Sequence, residues 1–594
     1  MKLLFRRRSV RRLLQLTLAL TAFWLVTNRV QQASSPKQLF PPPTAWSGAA
    51  PSESEDVVGL PRSVRRLKAS TDAFLNELHH DDVQNTVLFV SYGIDADTHS
   101  LFELACRMAS TQAILVNFAI IGEHDVASLF LFEANRETVD ACPVQFVLKP
   151  SWYGDGRGIS ARLRNLRDDV AVRTTRILLE AEVQNAIMES VPRVIVTSQY
   201  ASPATVEALK RFLDKQYFAH IPIDTRNVHD SLWLAELDLH ALAEYRIPRF
   251  EVVLFVEMGA YKLLDRMLRM LRSTLHSPSN DLPRLFMFIR CDERLPHLTN
   301  LYAGNAWPRD RLSVRWYTQN STPMLVEAWI PPDPYTYAIV IDLLATDAGS
   351  GDEQEMQMLS PVWMAWLRYA VLHTFYREHS RPYKANVLAI LPTMATPIND
   401  MPFVLTQEFN SRIALFAPDA FYRLQQYVML RLSQPDFIDR LQEQGQQLGV
   451  PAVTPSQFPA GSVFNEARPF ILELERLLGF VSLQPALLDD DTDNNWRDRS
   501  GSLEENRENE LSAHVVASEW QYLRRNMRRL PALQLEKAED APLIVPVNGQ
   551  HSWTWSESQN RSAELFKSIS SCFQEGQLSE FPIESIFCGV VASQ

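Results

Sequence analysis

The sequence contains no HExxH, no P-loop and no Ser-His-Asp phrase, so zinc-protease, P-loop nucleotidase and serine-hydrolase chemistry have no local signature in it. It is also poor in cysteine. Cys106, Cys142, Cys291, Cys572 and Cys588 are odd in number, so at least one keeps a free thiol, and no pair has metal-site spacing. Cys572 and Cys588 are near enough along the chain to close a short C-terminal loop, and buried free thiols are the other reading. An excess of positive charge is missing: 58 Lys and Arg stand against 70 Asp and Glu, a net −12. That balance excludes a general nucleic-acid binder, which needs a basic face to neutralise phosphates. No internal repeat is evident.

Long apolar runs are scarce as well. At the amino end, Lys2, Arg6, Arg7, Arg8, Arg11 and Arg12 precede a single uncharged run from Leu13 to Thr27. The run is short against the ~17–25 residues of a full span. No small-x-small cleavage pattern follows it, since Trp24, Val26 and Asn28 stand there. Residues 1–30 therefore read as an uncleaved signal-anchor with a cytoplasmic basic flank, in preference to a cleaved signal peptide. The expectation is a single-pass type II membrane protein of the Golgi or another secretory-pathway membrane, its body lumenal. The glycosylation sequons at Asn320 and Asn560 fit a lumenal body.

What is present is the composition of a globular protein, 46% hydrophobic and 22% charged over 594 residues. That length exceeds one core and implies two to four units at ~150 residues each. Residues 31–83 read as a stem: a Pro/Ser-rich stretch, then one amphipathic segment around Val64 to Leu78. His79 and His80 beside Asp81 and Asp82 read as a solvated helix end, with no third ligand near. Over residues 84–225, continuous apolar runs (TVLFVSYG, AILVNFAIIG, PVQFVLKP, VPRVIVTS, AHIPID) alternate with amphipathic segments. This predicts a Rossmann-like α/β domain with a parallel sheet covered on both faces. A second α/β series, FEVVLFVEMG, RLFMFIRCDE, LSVRWYTQ and YAIVIDLL, opens residues 226–486, which close with helical additions. Residues 487–512 are acidic and read as a disordered loop, and 513–594 as a C-terminal extension packing on the body.

In open α/β sheets ligands bind beyond the carboxyl ends of the strands. Three strand ends of the second series carry acids: Glu257, the pair Asp292 and Glu293, and Asp342. Glu257, Asp292 and Glu293 are the candidate donor-binding residues. Asp342, with Asp347 five residues on, is the candidate ligand of a Mn2+ or Mg2+ ion that would neutralise a leaving diphosphate. Acids that merely mark solvated strand ends are the plain alternative. Asp400, Glu408 and Asp419 are candidates for a general base toward an acceptor hydroxyl. Gly154, Gly156 and Gly158 space as GxGxG, which reads more readily as a turn than as a phosphate cradle. Trp363, Trp366 and Tyr369 offer sugar-stacking rings, although their helical spacing is that of core residues.

The succession of strand ends with acids resembles the nucleotide-diphospho-sugar (GT-A) fold of family-2 glycosyltransferases. The phrases LFELACRMAS, ILVNFAIIGEHD, YAIVIDLL followed by MLSPVWMAWLRYAVLHTFY, and FILELERLLGFVSLQP are similar to those of fungal type II membrane proteins called glycosyltransferase 2. The resemblance runs over most of Thr86 to Pro485 and implies a GT-A-like domain over 226–486. It further implies a lumenal transferase that takes a nucleotide-sugar donor and acts on a glycan or cell-wall acceptor. The sequence departs from the family pattern at one place. Leu343 and Leu344 follow Asp342 where a second carboxylate is expected, and an acid-rich GSGDEQE run intervenes before Ser360-Pro361. That departure keeps a second reading open, a catalytically inactive member serving as a binding or scaffolding module.

Overall fold

The computed structural model describes residues 62–77, 85–93, 96–111, 114–122, 142–147, 168–201, 203–214, 218–257, 264–265, 267–268, 271, 282–290, 307–317, 324–344, 362–377, 386–392, 403–407, 409, 411–433, 437–447, 462–485, 542–544 and 552–569. The architecture is mixed α/β, built on two sheets. Strands β1 (Thr86–Tyr92), β2 (Leu115–Ile121), β3 (Gln145–Val147), β4 (Val194–Ser198) and β5 (Ala219–Ile223) form an all-parallel sheet in the order β3-β2-β1-β4-β5. The five apolar runs read from the first half of the sequence are these five strands. Both faces of β1 are buried. Val87 and Phe89 enter one core while Leu88 and Val90 enter another, as the two-residue side-chain period of a strand requires.

Helix α1 (Arg62–Glu77), α2 (Ala96–Thr111), α3 (Asp168–Ser190) and α4 (Pro203–Leu213) flank this sheet. The stem expected over residues 31–83 does not extend over α1. Leu75 is buried in the core beneath α3 and α4, Thr71 donates to Gln184 at 2.8 Å, and Arg211 reaches Asp72 at 2.5 Å. An amphipathic stripe with an apolar partner in reach packs instead of staying solvated.

Beyond a run of 3-10 turns (Thr225–Glu236) and α5 (Leu239–Ala243) lies the second sheet. Its strands are β6 (Arg249–Glu257), β7 (Leu285–Arg290), β8 (Leu312–Tyr317), β9 (Thr336–Leu343), β10 (Val387–Ile390), β11 (Phe403–Thr406), β12 (Ile413–Phe416), β13 (Val481–Pro485), β14 (Pro542–Ile544) and β15 (Ser552–Thr554). They order as β15-β14-β11-β13-β10-β12-β9-β6-β7-β8. The quartet β8-β7-β6-β9 is wholly parallel, and β12 then pairs antiparallel with β9. Helices α6 (Met324–Ala328), α7 (Val362–Phe375), α8 (Pro418–Leu432), α9 (Phe437–Gln447), α10 (Val463–Leu478) and α11 (Trp555–Ile569) complete the described elements. From the C-terminal extension, α11 packs on α9 and α10, and β14 joins the sheet at β11.

One core runs through both sheets. Phe89 and Phe118 belong to it, as do Phe255 and Ile339, with Trp233 of the 3-10 run and Leu242 of α5 between them. All the described residues fall in one compact unit, Pro61–Gln594. Among them no helix is long and apolar enough to cross a membrane, and the anchor expected over residues 1–30 lies outside them.

A disulfide joins Cys106 of α2 to Cys142 just ahead of β3, with Cα atoms 5.1 Å apart. The pairing suggested between Cys572 and Cys588 lies outside the described residues, as does Cys291. Separation along the chain gave no sign of the observed bridge, because β3 returns beside β2 under α2 only in the folded sheet. A bridge spanning 36 residues is worth about 4 kcal/mol in the chain-entropy account. Cys106→Ser together with Cys142→Ser is expected to lower the thermal midpoint of the full chain by several degrees. Reductant should reproduce the loss in the parent protein and add nothing in the double variant.

Candidate functional site

The parallel quartet places its chemistry by register. Glu257 at the end of β6 pairs with Arg290 of β7, and Arg290 pairs with Tyr317 of β8. In-register residues of parallel strands share a face, so this row lies on one side of the sheet at its carboxyl edge. Two residues earlier the same face carries Asp342, Phe255 and Phe288 in register across β9, β6 and β7. The stacked rings of Phe255 and Phe288, 5.2 Å between centroids, form the floor below the polar row, and Phe255 meets Tyr317 edge-on at 6.3 Å.

Within the row, Arg290 donates to Glu257 at 3.1 Å. The Tyr317 hydroxyl is buried and has no hydrogen-bond partner among the described residues. Burial raises its pKa; the positive charge of Arg290 opposes this, and Asp342, Glu466 and Glu257 reinforce it. The phenol therefore keeps its proton at neutral pH and stands, among the described residues, as a donor without an acceptor. A buried donor of this kind is rare among folded chains and needs a partner.

Asp342 has a different fate. It is 1% exposed, and its carboxylate already accepts from the Leu344 N–H at 3.0 Å, the Ser462 hydroxyl at 2.5 Å and the Val463 N–H at 2.9 Å. Ser462 is the N-cap of α10, so Asp342 ties the end of β9 to the first turn of that helix. Burial pushes its pKa up to about 6 despite these bonds. The far side of α10 is held as firmly: Glu473, itself raised by burial, accepts from the Tyr427 hydroxyl at 2.7 Å and from Arg431 at 3.2 Å on α8. Among the described residues no group of three His, Cys, Asp or Glu side chains could hold a metal ion. The Asp342 carboxylate is thus occupied by three protein donors, and Asp347, the other ligand expected for Mn2+ or Mg2+, lies outside the described residues.

Of the residues expected at the site, Glu257 and Asp342 come to one face and one edge. Asp292, Glu293, Asp347, Asp400, Glu408, Asn320 and the glycines at 154–158 lie outside the described residues. Asp419 is not brought to this edge. It opens α8 after β12, whose antiparallel pairing (Phe416 opposite Ala338) delivers it to the amino end of the quartet, near Tyr337. Trp366 and Tyr369 are fully buried, so those rings are core and not a sugar platform; the Trp363 side chain is outside the described residues. Asn560 is exposed on α11, while the hydroxyl-bearing Ser562 of its sequon is buried. The acid-at-strand-end signal missed Arg290 and Tyr317, although LFMFIR and LSVRWY end at the equivalent position.

Two family models match the chain. Residues 70–245 match the one described as the SPBC1E8.03c N-terminal domain, and residues 262–437 the one described as the SPBC1E8.03c C-terminal domain. The first range spans every strand of the five-stranded sheet and the second spans β7 through β12.

Asp342→Ala is expected to strand three donors and cost about 3 kcal/mol or more, read from the urea midpoint. Ser462→Ala, which removes one of them, should cost about 1 kcal/mol. A neutral result for Asp342→Ala would remove the anchoring role.

Buried histidines and carboxyls give the stability an acid dependence. Burial, then the charge of Arg377, pushes His373 down to about 3, and burial, then Arg246, pushes His220 down to about 4. Between those values and 6.5 the unfolded chain binds protons that the folded chain refuses, so the stability they confer is complete above 6.5 and is lost as pH falls. Asp342 acts in the opposite sense: from 3.8 to about 6 its folded form holds the extra proton, and this contribution is lost as pH rises. Glu473, also raised by burial, acts in the same sense as Asp342, so near pH 5 the two histidines and the two carboxyls pull the stability in opposite directions. His373→Gln should lower the slope of stability against pH between 4.5 and 6 by up to about 1.4 kcal/mol per pH unit relative to the parent; an unchanged slope would contradict it.

In Schizosaccharomyces pombe the uncharacterized protein SPBC1E8.03c is 29% identical to this chain over 506 residues, 85% of this chain and 82% of its own length, so the similarity runs through both sheets.

Proposed function

We propose that this protein is a glycosyltransferase-fold protein that binds a nucleotide-sugar donor against the Glu257–Arg290–Tyr317 row and transfers the sugar to a glycan or cell-wall acceptor. The observation that carries the reading is the Tyr317 hydroxyl, a buried donor lacking an acceptor among the described residues, at the carboxyl edge of a parallel quartet. A diphosphate oxygen supplies that acceptor, and Arg290 in the adjacent register position supplies charge. The strand order supports the finer fold reading. A β3-β2-β1-β4-β5 parallel sheet has the reversal of a Rossmann-like doubly wound domain between β1 and β4. The β8-β7-β6-β9 quartet repeats the reversal between β6 and β9, consistent with a GT-A-like domain with helical additions.

A secretory-pathway location, with residues 1–30 as anchor, is supported by the Cys106–Cys142 disulfide, which belongs to an oxidising compartment. No step is assigned to a divalent ion, since Asp342 is consumed in anchoring α10. The same fact favours a second reading, in which the fold is kept as a nucleotide-sugar-binding module without turnover.

Equilibrium binding of a panel of nucleotide sugars, run in chelator and again with Mn2+, separates these readings. Binding in chelator with donor hydrolysis or transfer supports the enzyme; binding without turnover supports the module. Tyr317→Phe should weaken donor binding about tenfold while leaving apo stability unchanged or slightly higher, since the hydroxyl has no partner to lose. If no donor binds under either condition, both readings fall.

A further inference from the structure

We propose that Arg315 is a specificity-determining residue of the donor site, the second cation that lets it hold a diphosphate without a divalent ion. The inference rests on the reading of the Glu257–Arg290–Tyr317 row as a donor site. Arg315 stands in β8 two residues ahead of Tyr317, so both side chains leave the same face of the sheet. Register sets Arg315 opposite Phe288, just as it sets Tyr317 opposite Arg290. A second row, Asp342–Phe255–Phe288–Arg315, therefore crosses β9, β6, β7 and β8 on this face. It lies about 6.6 Å along the strands from the first row.

The direction of the Arg315 side chain is set by a ring. Its Cζ lies 5.9 Å from the centre of Phe288, within cation–π range, so the guanidinium turns inward over that ring. β8 is the last strand of the described sheet on this side, and an arginine pointing outward from it would leave Phe288 uncovered by its charge. Phe288 stacks on Phe255, and Phe255 meets Tyr317 edge-on. Three rings in contact thus connect the Arg315 guanidinium to the Tyr317 hydroxyl.

Charge on this face is unevenly committed. Arg290 already has Glu257 at 3.1 Å, and Asp342 is engaged by Leu344, Ser462 and Val463. Arg315 is exposed, and among the described residues no carboxylate pairs with it. It is therefore the cation of this face whose charge is left over for a ligand. Guanidinium forks match phosphate oxygens in pairs. Tyr317 and Arg290 supply donors to one phosphate group, and Arg315, one row back, supplies the fork for the next. A site so built tells a diphosphate from a monophosphate by charge. A charged side chain on an outer strand also blocks pairing with other strands, and the test separates the two roles.

The test is calorimetric titration of the full chain, in chelator, with uridine and guanosine monophosphates and diphosphates. The parent is expected to bind the diphosphate of its preferred base at least about tenfold more tightly than the monophosphate. Arg315→Gln should weaken the diphosphate about tenfold while leaving the monophosphate affinity and the thermal midpoint of the free protein unchanged. Arg315→Lys, which keeps the charge without the fork, should recover part of the loss. Equal diphosphate binding by the parent and Arg315→Gln would leave the donor site standing and reduce Arg315 to a guard of the outer strand. Equal loss of both nucleotides, or a lower midpoint, would make the residue structural and overturn the assignment, as would diphosphate binding by the parent only after Mn2+ is added. If the parent binds none of these nucleotides or the nucleotide sugars, the donor reading itself falls and the role of Arg315 falls with it.

Discussion

The carboxylate of Asp342 holds the second half of the molecule in place. A strand end and a helix start are remote in sequence, and here they are joined by one buried side chain accepting from Leu344, Ser462 and Val463. A carboxylate at the first turn of a helix satisfies amides that otherwise have no partner and complements the positive end of the helix dipole. From that junction α10 runs back through the core, where Glu473 binds Tyr427 and Arg431 of α8. The acid that drew attention in the sequence is therefore functional in a structural sense, as a joint between β9 and the helical additions.

Much of the architecture was legible because its signals are local. The apolar runs of the first series are strands buried on both faces, and the absence of alternation in TVLFVSY and LVNFAII is what that environment demands. YAIVIDL and LFMFIR were read the same way. What was not legible depends on pairing between distant segments. FVLT and PLI are too short to carry a period, and they become strands only because β13 and β11 offer an edge. The docking of α1 required a partner, α3, about a hundred residues away.

The site follows the same division. Acids at strand ends could be read directly, and Glu257 and Asp342 do share a face. Register, which sets Arg290 and Tyr317 beside Glu257, is a property of the sheet, and the state of Asp342 depends on Ser462, 120 positions later. No inspection of YAIVID alone distinguishes an acid that awaits a metal from one that already has three donors.

The register origin of the Glu257–Arg290–Tyr317 row has a consequence for how such a site can vary. Its geometry is carried by backbone pairing between β6, β7 and β8 and not by the segments that follow them. Those segments are thereby released to change in length and composition, altering what the site admits, while the row keeps its spacing. A shift of pairing by one residue, in contrast, would turn all the row's members on the shifted strand to the opposite face at once. Variation in specificity and loss of the site are thus separate routes for this sheet, the first gradual and the second abrupt.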